Sequence, residues 1–255
     1  MKLDVLAIGA HPDDVELGCG GTLALLARQG RKVGILHLTR GEAGTRGTPE
    51  ERQAEAESAA RILGAAEVGF LDCGDGALRT GEAEEDALIE RIRAWRPDLV
   101  LGPSPSDRHP DHHRALQLVQ SACFYAGLKN RHPQGGAAFR PGTLFSYMQH
   151  DLFEPSFIVD VSSTWEVKVE ALRAYRSQLY GGGPSPGPSP KKGGTPEPED
   201  TQPQTKVASR EFWQAVEGRA RHFGVIVNAE LGEPFWSRIP LAVSDLSSVV
   251  AGGLR

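Results

Sequence analysis

Only three cysteines occur in the chain, Cys19, Cys73 and Cys123, and none are in CxxC spacing. So sparse and odd a set builds neither a disulfide framework nor a cysteine zinc site. Cys123 lies in an apolar helical stretch and reads as core; Cys19, though near a histidine motif, reads the same way. No stretch approaches the roughly 18 uncharged apolar residues of a membrane span. Asp4 interrupts the opening apolar run, which is too short for a signal sequence, so a cytoplasmic protein is expected. No long basic run breaks the formal net charge of -5, which argues against nucleic acid or an anionic membrane as partner. GxGxxG spacing after the first strand is absent as well, and Gly20-Gly21 falls too late for a dinucleotide fingerprint. Gly18, Gly20 and Gly21 read instead as sites of close backbone approach at a helix start. What remains is 255 residues, 39% of them hydrophobic, enough for one large domain.

Over the first half the hydrophobic pattern alternates between strand and helix. Residues 3–9, 33–38, 67–71 and 98–102 read as strands; 20–29, 48–63, 82–95 and a segment from Pro110 past Ala122 read as helices. Thr48-Pro49-Glu50-Glu51 is a helix start, with Thr48 as N-cap and Glu51 closing a capping box, and Gly64 ends that helix. Units in this order predict an α/β, Rossmann-like fold: a mostly parallel central sheet with helices on both faces and ligands at the carboxyl ends of its strands. Beyond it, 144–149 and 157–161 read as strands, 164–178 as a helix, and a last helix follows Ser209. Residues 181–206 hold 7 prolines and 6 glycines and almost nothing apolar. They read as a Pro/Gly-rich loop or insertion in a single domain, 1–255.

Two short strings carry the chemistry. Ala10-His11-Pro12-Asp13-Asp14 follows the first strand, and His109-Pro110-Asp111-His112 follows the fourth. Both therefore fall at strand carboxyl ends. His11, Asp14 and one histidine of the second pair would give two nitrogens and one oxygen, a set that suits catalytic zinc and does not exclude iron or manganese. Such an ion makes water a usable nucleophile near neutral pH. Asp13 is the natural general base, and the remaining histidine could hold an oxyanion or protonate a leaving group. Asp111 reads as an outer contact of an imidazole. His37 reads as a satisfied strand-end histidine.

The two strings together resemble the zinc-dependent PIG-L/LmbE-like deacetylases. Further segments resemble the bacillithiol-biosynthesis branch: Gly44-Thr45-Arg46-Gly47-Thr48, Asp107-Arg108-His109-Pro110-Asp111-His112 and Pro155-Ser156-Phe157-Ile158-Val159-Asp160. The resemblance implies one Zn2+ per chain on His11, Asp14 and His112, with Asp13 as base. It implies a charged His109 polarising the amide carbonyl, with Asp111 beside it, and Arg52 contacting substrate. Arg46 and Arg108 join Arg52 as candidate partners of an anionic substrate group. The implied reaction is hydrolysis of N-acetylglucosaminyl-malate to glucosaminyl-malate and acetate, by a homo-oligomer that can be a hexamer. The chain departs from the pattern at 181–206 and near residue 230. Alternatives are deacetylation of another N-acetylglucosamine conjugate (chitobiose-like, a mycothiol precursor or an antibiotic glycoside), a metal-holding carbohydrate-binding protein without turnover, and an unrelated amidase or esterase.

Overall fold

Alternate residues of β1 (Val5–Gly9) enter two different cores: Val5 and Ala7 pack into one, Leu6 and Ile8 into the other. A strand buried on both faces needs helices on both. A computed structural model, which describes residues 1–179 and 203–243, has that layering. On one face lie α1 (Asp14–Arg28), α2 (Pro49–Leu63), α5 (Trp165–Arg173) and α6 (Arg210–Ile226). On the other lie α3 (Glu82–Trp95) and α4 (Pro110–Tyr125).

β2 (Val33–His37), β3 (Glu67–Phe70), β4 (Leu99–Gly102) and β5 (Thr143–Tyr147) run parallel with β1. β7 (Gly232–Trp236) is antiparallel to both β5 and β6 (Phe157–Asp160), and the full order is β3-β2-β1-β4-β5-β7-β6. The chain leaves β1 for β2 on one side and returns to β4 on the other. The carboxyl ends of β1 and β4 therefore flank the switch point, where open α/β sheets bind ligands.

The expected capping box is present: Thr48 Oγ1 accepts from the Glu51 N–H at 3.2 Å, and the Glu51 carboxylate accepts from the Thr48 N–H at 2.8 Å. β7 is a strand the sequence reading left out. Pro234 argues against a strand, but β5 pairs only with Phe235 and Trp236, so no β5 carbonyl calls on Pro234 for a donor. α5 stops at Arg173 rather than at 178. The loop read at 181–206 lies outside the described residues as far as 202; Pro203, near its end, accepts a hydrogen bond from Arg46.

α1 begins at Asp14, earlier than the expected Gly20, and it is broken at Cys19, where φ is -145° and ψ 21°. Gly18 and Gly21 do serve close approach. A Cβ on Gly18 would fall 2.2 Å from Tyr147 Cδ2, and one on Gly21 would fall 2.9 Å from Val161 Cβ. Overpacking of a filled core typically costs about 1–3 kcal/mol. Gly18→Ala should therefore lower the denaturant midpoint by a loss in that range, and an unchanged midpoint would show that α1 does not lie against the Tyr147 ring.

Candidate functional site

His11 and Asp14 leave the end of β1 on a tight turn, and His109 and His112 start α4 just beyond β4. His109 is the N-cap of α4, with its Nδ1 accepting from the Asp111 N–H at 3.2 Å. His112 sits one turn in and is buried. The His11 and His109 rings lie 4.8 Å apart, as do those of His109 and His112. The parallel pairing of β1 with β4 thus brings both motifs into one cluster.

Among the described residues three overlapping sets bring donor atoms within 4.8 Å of one another: His11, His109 and His112; His11, Asp75 and Asp111; Asp107, His112 and His150. Hydrogen bonds decide which lone pairs remain for an ion. His11 Nε2 faces two carboxylates, Asp75 Oδ1 at 3.0 Å and Asp111 Oδ2 at 3.4 Å, so its proton belongs there. That leaves His11 Nδ1 toward Asp14 Oδ2, 3.5 Å away. His112 Nδ1 lies 3.0 Å from Asp107 Oδ1, off the axis of a full hydrogen bond, and its Nε2 is 3.3 Å from Asp14 Oδ1. Two nitrogen lone pairs therefore converge on one carboxylate. Around a tetrahedral zinc with bonds of about 2.0–2.1 Å, donors stand about 3.3–3.4 Å apart. Each contact taken singly is close to that spacing, but the two reach different oxygens of Asp14, and the expected trio His11, Asp14 and His112 is not one of the three sets above. His109 is different. Its Nδ1 lone pair is occupied by the Asp111 amide, so the neutral ring carries its proton on Nε2 and is a donor rather than a ligand.

Loops reached from elsewhere in the chain complete the cluster. Asp111 accepts from the Gly76 and Leu78 amides at 2.8 and 3.1 Å, which fixes the loop after β3 that carries Asp75. Gln149, after β5, donates to Asp14 Oδ1 at 2.7 Å. Asp107 accepts from the His109 and His150 amides. His37 donates from Nδ1 to the His11 carbonyl at 3.2 Å, and burial lowers its pKa to about 4, so it is neutral. Asp75, Gln149 and His150 escaped the sequence reading: each is a single residue on a loop, and only the tertiary fold gives it a partner.

The two neighbouring aspartates titrate in opposite directions. Burial raises the pKa of Asp13 to about 7, against the pull of Arg52. Asp14 is buried too, but the charges and hydrogen bonds of His112 and His11 hold it well below the usual range. Burial opposes charge on His112, yet Asp14 and Asp107 raise it to about 9. His109 is lowered, by burial first and then by its imidazole neighbours, so the charged form expected from the sequence is disfavoured.

The three candidate arginines part company. Arg52 is buried beside Asp13, its Nη2 3.8 Å from Asp13 Oδ2. It also donates to the Pro12 carbonyl at 2.8 Å and the Gly41 carbonyl at 3.0 Å, so it braces the Asp13 turn from below. Arg46, expected to meet substrate, instead donates to the Ser177 and Pro203 carbonyls at 2.6 and 2.9 Å. Arg108 is exposed in a cleft of about 400 Å3 beside Gln149 and His150, with Lys206, Phe212, Arg219 and His222 on its walls. Among the described residues neither the Arg108 guanidinium nor the Lys206 ammonium has a hydrogen-bond or ion-pair partner. A larger groove of about 800 Å3, beside the start of β5, is lined by no carboxylate or imidazole.

These shifts set a pH dependence for metal-depleted protein. The raised pKa of His112 gives stability that is complete below about 6.5 and lost as pH rises through about 9. The raised pKa of Asp13 acts in the same sense, its contribution complete below 3.8 and lost through about 7. The Tm of chelator-treated protein should fall between pH 6.5 and 9, with added Zn2+ raising it most at the upper end. A flat profile in thermal melts would contradict this electrostatic picture.

No described helix is long and apolar enough to cross a membrane. Residues 6–123 match the family model PIG-L, GlcNAc-PI de-N-acetylase. A diacetylchitobiose deacetylase from Thermococcus kodakarensis is 35% identical over 188 residues, which span 69% of this chain and 70% of the relative. A 4-oxalmesaconate hydratase from Pseudomonas putida is 28% identical, over 69% of this chain and 74% of that protein. Among solved structures, a conserved protein from Thermus thermophilus superposes with a TM-score of 0.82 at 36% identity, covering 97% of this chain and 100% of the other. With a cluster of histidines and aspartates able to hold a metal ion at the sheet's switch point, the chain belongs to the PIG-L family of enzymes.

Proposed function

We propose that the protein is a metal-dependent N-deacetylase that hydrolyses the acetamide of an N-acetylglucosamine conjugate. The observation that carries this reading is Asp13: a buried carboxylate with a pKa near neutrality, next to a donor set it does not share. A group meant only to hold metal has no need of that pKa, whereas a general base is most effective with one. In this reading His11, Asp14 and His112 hold one divalent ion, zinc by the nitrogen and oxygen character of the set. When bound, the ion supplies Lewis acidity and a strongly acidified water. Asp13 takes the proton of the attacking water and later gives it to the departing sugar nitrogen, so acetate and free amine leave. The neutral Nε2–H of His109 donates to the oxyanion, and Asp111 keeps that tautomer through its backbone amide. Water addition by a hydratase, as in the Pseudomonas relative, would need a carbon–carbon double bond as substrate; an acetate-release assay separates the two.

The aglycone is the finer question, and the cleft bears on it. Among the described residues that line it, Arg108, Lys206 and Arg219 face Asp151 as the one acid. That excess of cations favours a conjugate with an anionic group, of which N-acetylglucosaminyl-malate is one. Neutral diacetylchitobiose is the competing substrate. We also carry a homo-oligomer, up to a hexamer, as part of this reading, to be checked by light scattering.

Purified protein should release acetate from at least one of N-acetylglucosaminyl-malate, diacetylchitobiose and N-acetylglucosamine. Asp13→Asn should keep the metal and lose about 10²–10⁴-fold in kcat, the usual worth of general acid–base catalysis. Arg108→Ala should lower kcat/KM for the malate conjugate more than for the neutral sugars. Absence of acetate from all three substrates would end the deacetylase reading; equal losses for Arg108→Ala would end the anionic one.

A further inference from the structure

In a continuous helix the Gly21 N–H would donate to the Leu17 carbonyl. In α1, which is broken at Cys19, both groups have side-chain partners. The Leu17 carbonyl accepts from Lys168 Nζ at 2.9 Å. Lys168 Nζ pairs with Glu233 Oε1 at 2.6 Å, and the same Oε1 accepts from the Gly21 N–H at 3.0 Å. An ion pair from α5 and β7 is thus spliced into one turn of α1. Glu233 Oε2 takes the next amide, Thr22 N–H, at 2.7 Å and the Thr22 hydroxyl at 2.6 Å. The cation lies on the carbonyl end of the break and the anion on the amide end, the sense that suits each helix terminus. Both side chains are buried, Lys168 and Glu233 each 2% exposed. Buried pairs of this kind seldom add stability over an apolar pair of similar volume.

The splice reaches the candidate site through one residue. Leu17, whose carbonyl the Lys168 ammonium holds, donates its own N–H to the Asp13 carbonyl at 2.9 Å. Asp13 has φ 100°, a left-handed conformation that a residue other than glycine keeps only when its surroundings hold it. Arg219 of α6 adds a second, longer bond to the Leu17 carbonyl at 3.3 Å. We infer that Lys168 and Glu233 are positioning residues for the Asp13–Asp14 turn. By keeping α1 broken after its first turn, they fix the backbone of Asp13 and the direction of the Asp14 carboxylate. The inference rests on the roles proposed above for those two aspartates.

The test is the double variant K168M/E233L. It removes both charges of the pair together and leaves the Gly21 N–H free to close on the Leu17 carbonyl, so α1 can run straight; Arg219 loses the Glu233 charge but keeps the Leu17 carbonyl in reach. The variant is expected to fold with a Tm close to that of the wild type. Its affinity for Co2+, a spectroscopic substitute for zinc, should fall about 10–100-fold, the usual effect of losing an outer support of metal ligands. Its kcat should fall more than its KM rises, and Lys168→Arg, which keeps the cation, should retain most of both. Wild-type Co2+ affinity, Co2+ absorption spectrum and kcat in a folded double variant would overturn the inference and leave the pair a packing element. Should the double variant fail to fold, Glu233→Gln carries the same comparison; it leaves the Lys168 ammonium without its counter-charge and is expected to lower Tm, so Co2+ binding is measured below its own melting transition, where weaker binding supports positioning and unchanged binding overturns it. Co2+ binding needs no substrate. A wild type that binds Co2+ but releases no acetate would defeat the deacetylase reading while the variants still decide this one.

Discussion

Carboxylates buried together demand positive charge within reach, and that demand organises this molecule. Asp13, Asp14, Asp107 and Asp111 are all buried, with Asp75 beside them, around the rings of His11, His109 and His112. Isolated, such charges would be prohibitive in an interior. Each finds an answer of its own. Asp111 takes two amides and Arg114, Asp107 takes two amides and His112, and Asp14 faces two imidazoles and Gln149. Asp13 alone is left with a single distant guanidinium, and it is the one carboxylate of the group whose pKa burial drives up to about 7. Adjacent residues driven apart in pKa are a means of dividing labour between an ion's ligand and a proton's carrier.

The sheet makes this cluster by geometry that has nothing to do with the chemistry. β1 and β4 are neighbours because the chain reverses its winding between them, so the segments that follow both strands open into one crevice. Their imidazoles meet there, and the loop after β3 and the segment after β5 close in from either side. A helix start serves twice in this arrangement. His109 caps α4 and by the same hydrogen bond has its tautomer chosen.

What sequence could reveal of this follows from the range of each interaction. The parallel core and both motifs were legible because period and capping are local: Thr48 and Glu51 are three residues apart, and each histidine motif spans a few positions. The second half was harder. Gly232 and Pro234 hide a strand that exists because β5 and β6 need a partner between them. Asp75 and Gln149 bear no pattern, and only folding joins them to His11 and Asp14. The arginines show a further limit. A guanidinium in a sequence suggests an anion, but Arg46 and much of Arg52 are spent on backbone carbonyls, which no motif announces.

Glu233 binds Gly21 and Thr22 across more than two hundred residues of chain. Proteins are made from the amino terminus, and early segments ordinarily settle as they emerge. Here the first helix cannot acquire its final shape in that way. Its amides at the break wait for a carboxylate from the last described strand, and until then the peptide that steadies Asp13 has only part of its support. Timing is thereby written into the architecture: a nascent chain can hold its parallel strands β1 to β5 and both histidine motifs and still lack the carboxylate that caps the break in its first helix. The break in α1 is completed only when synthesis has delivered β7, and a chain that stops short of β7 carries both motifs without Glu233.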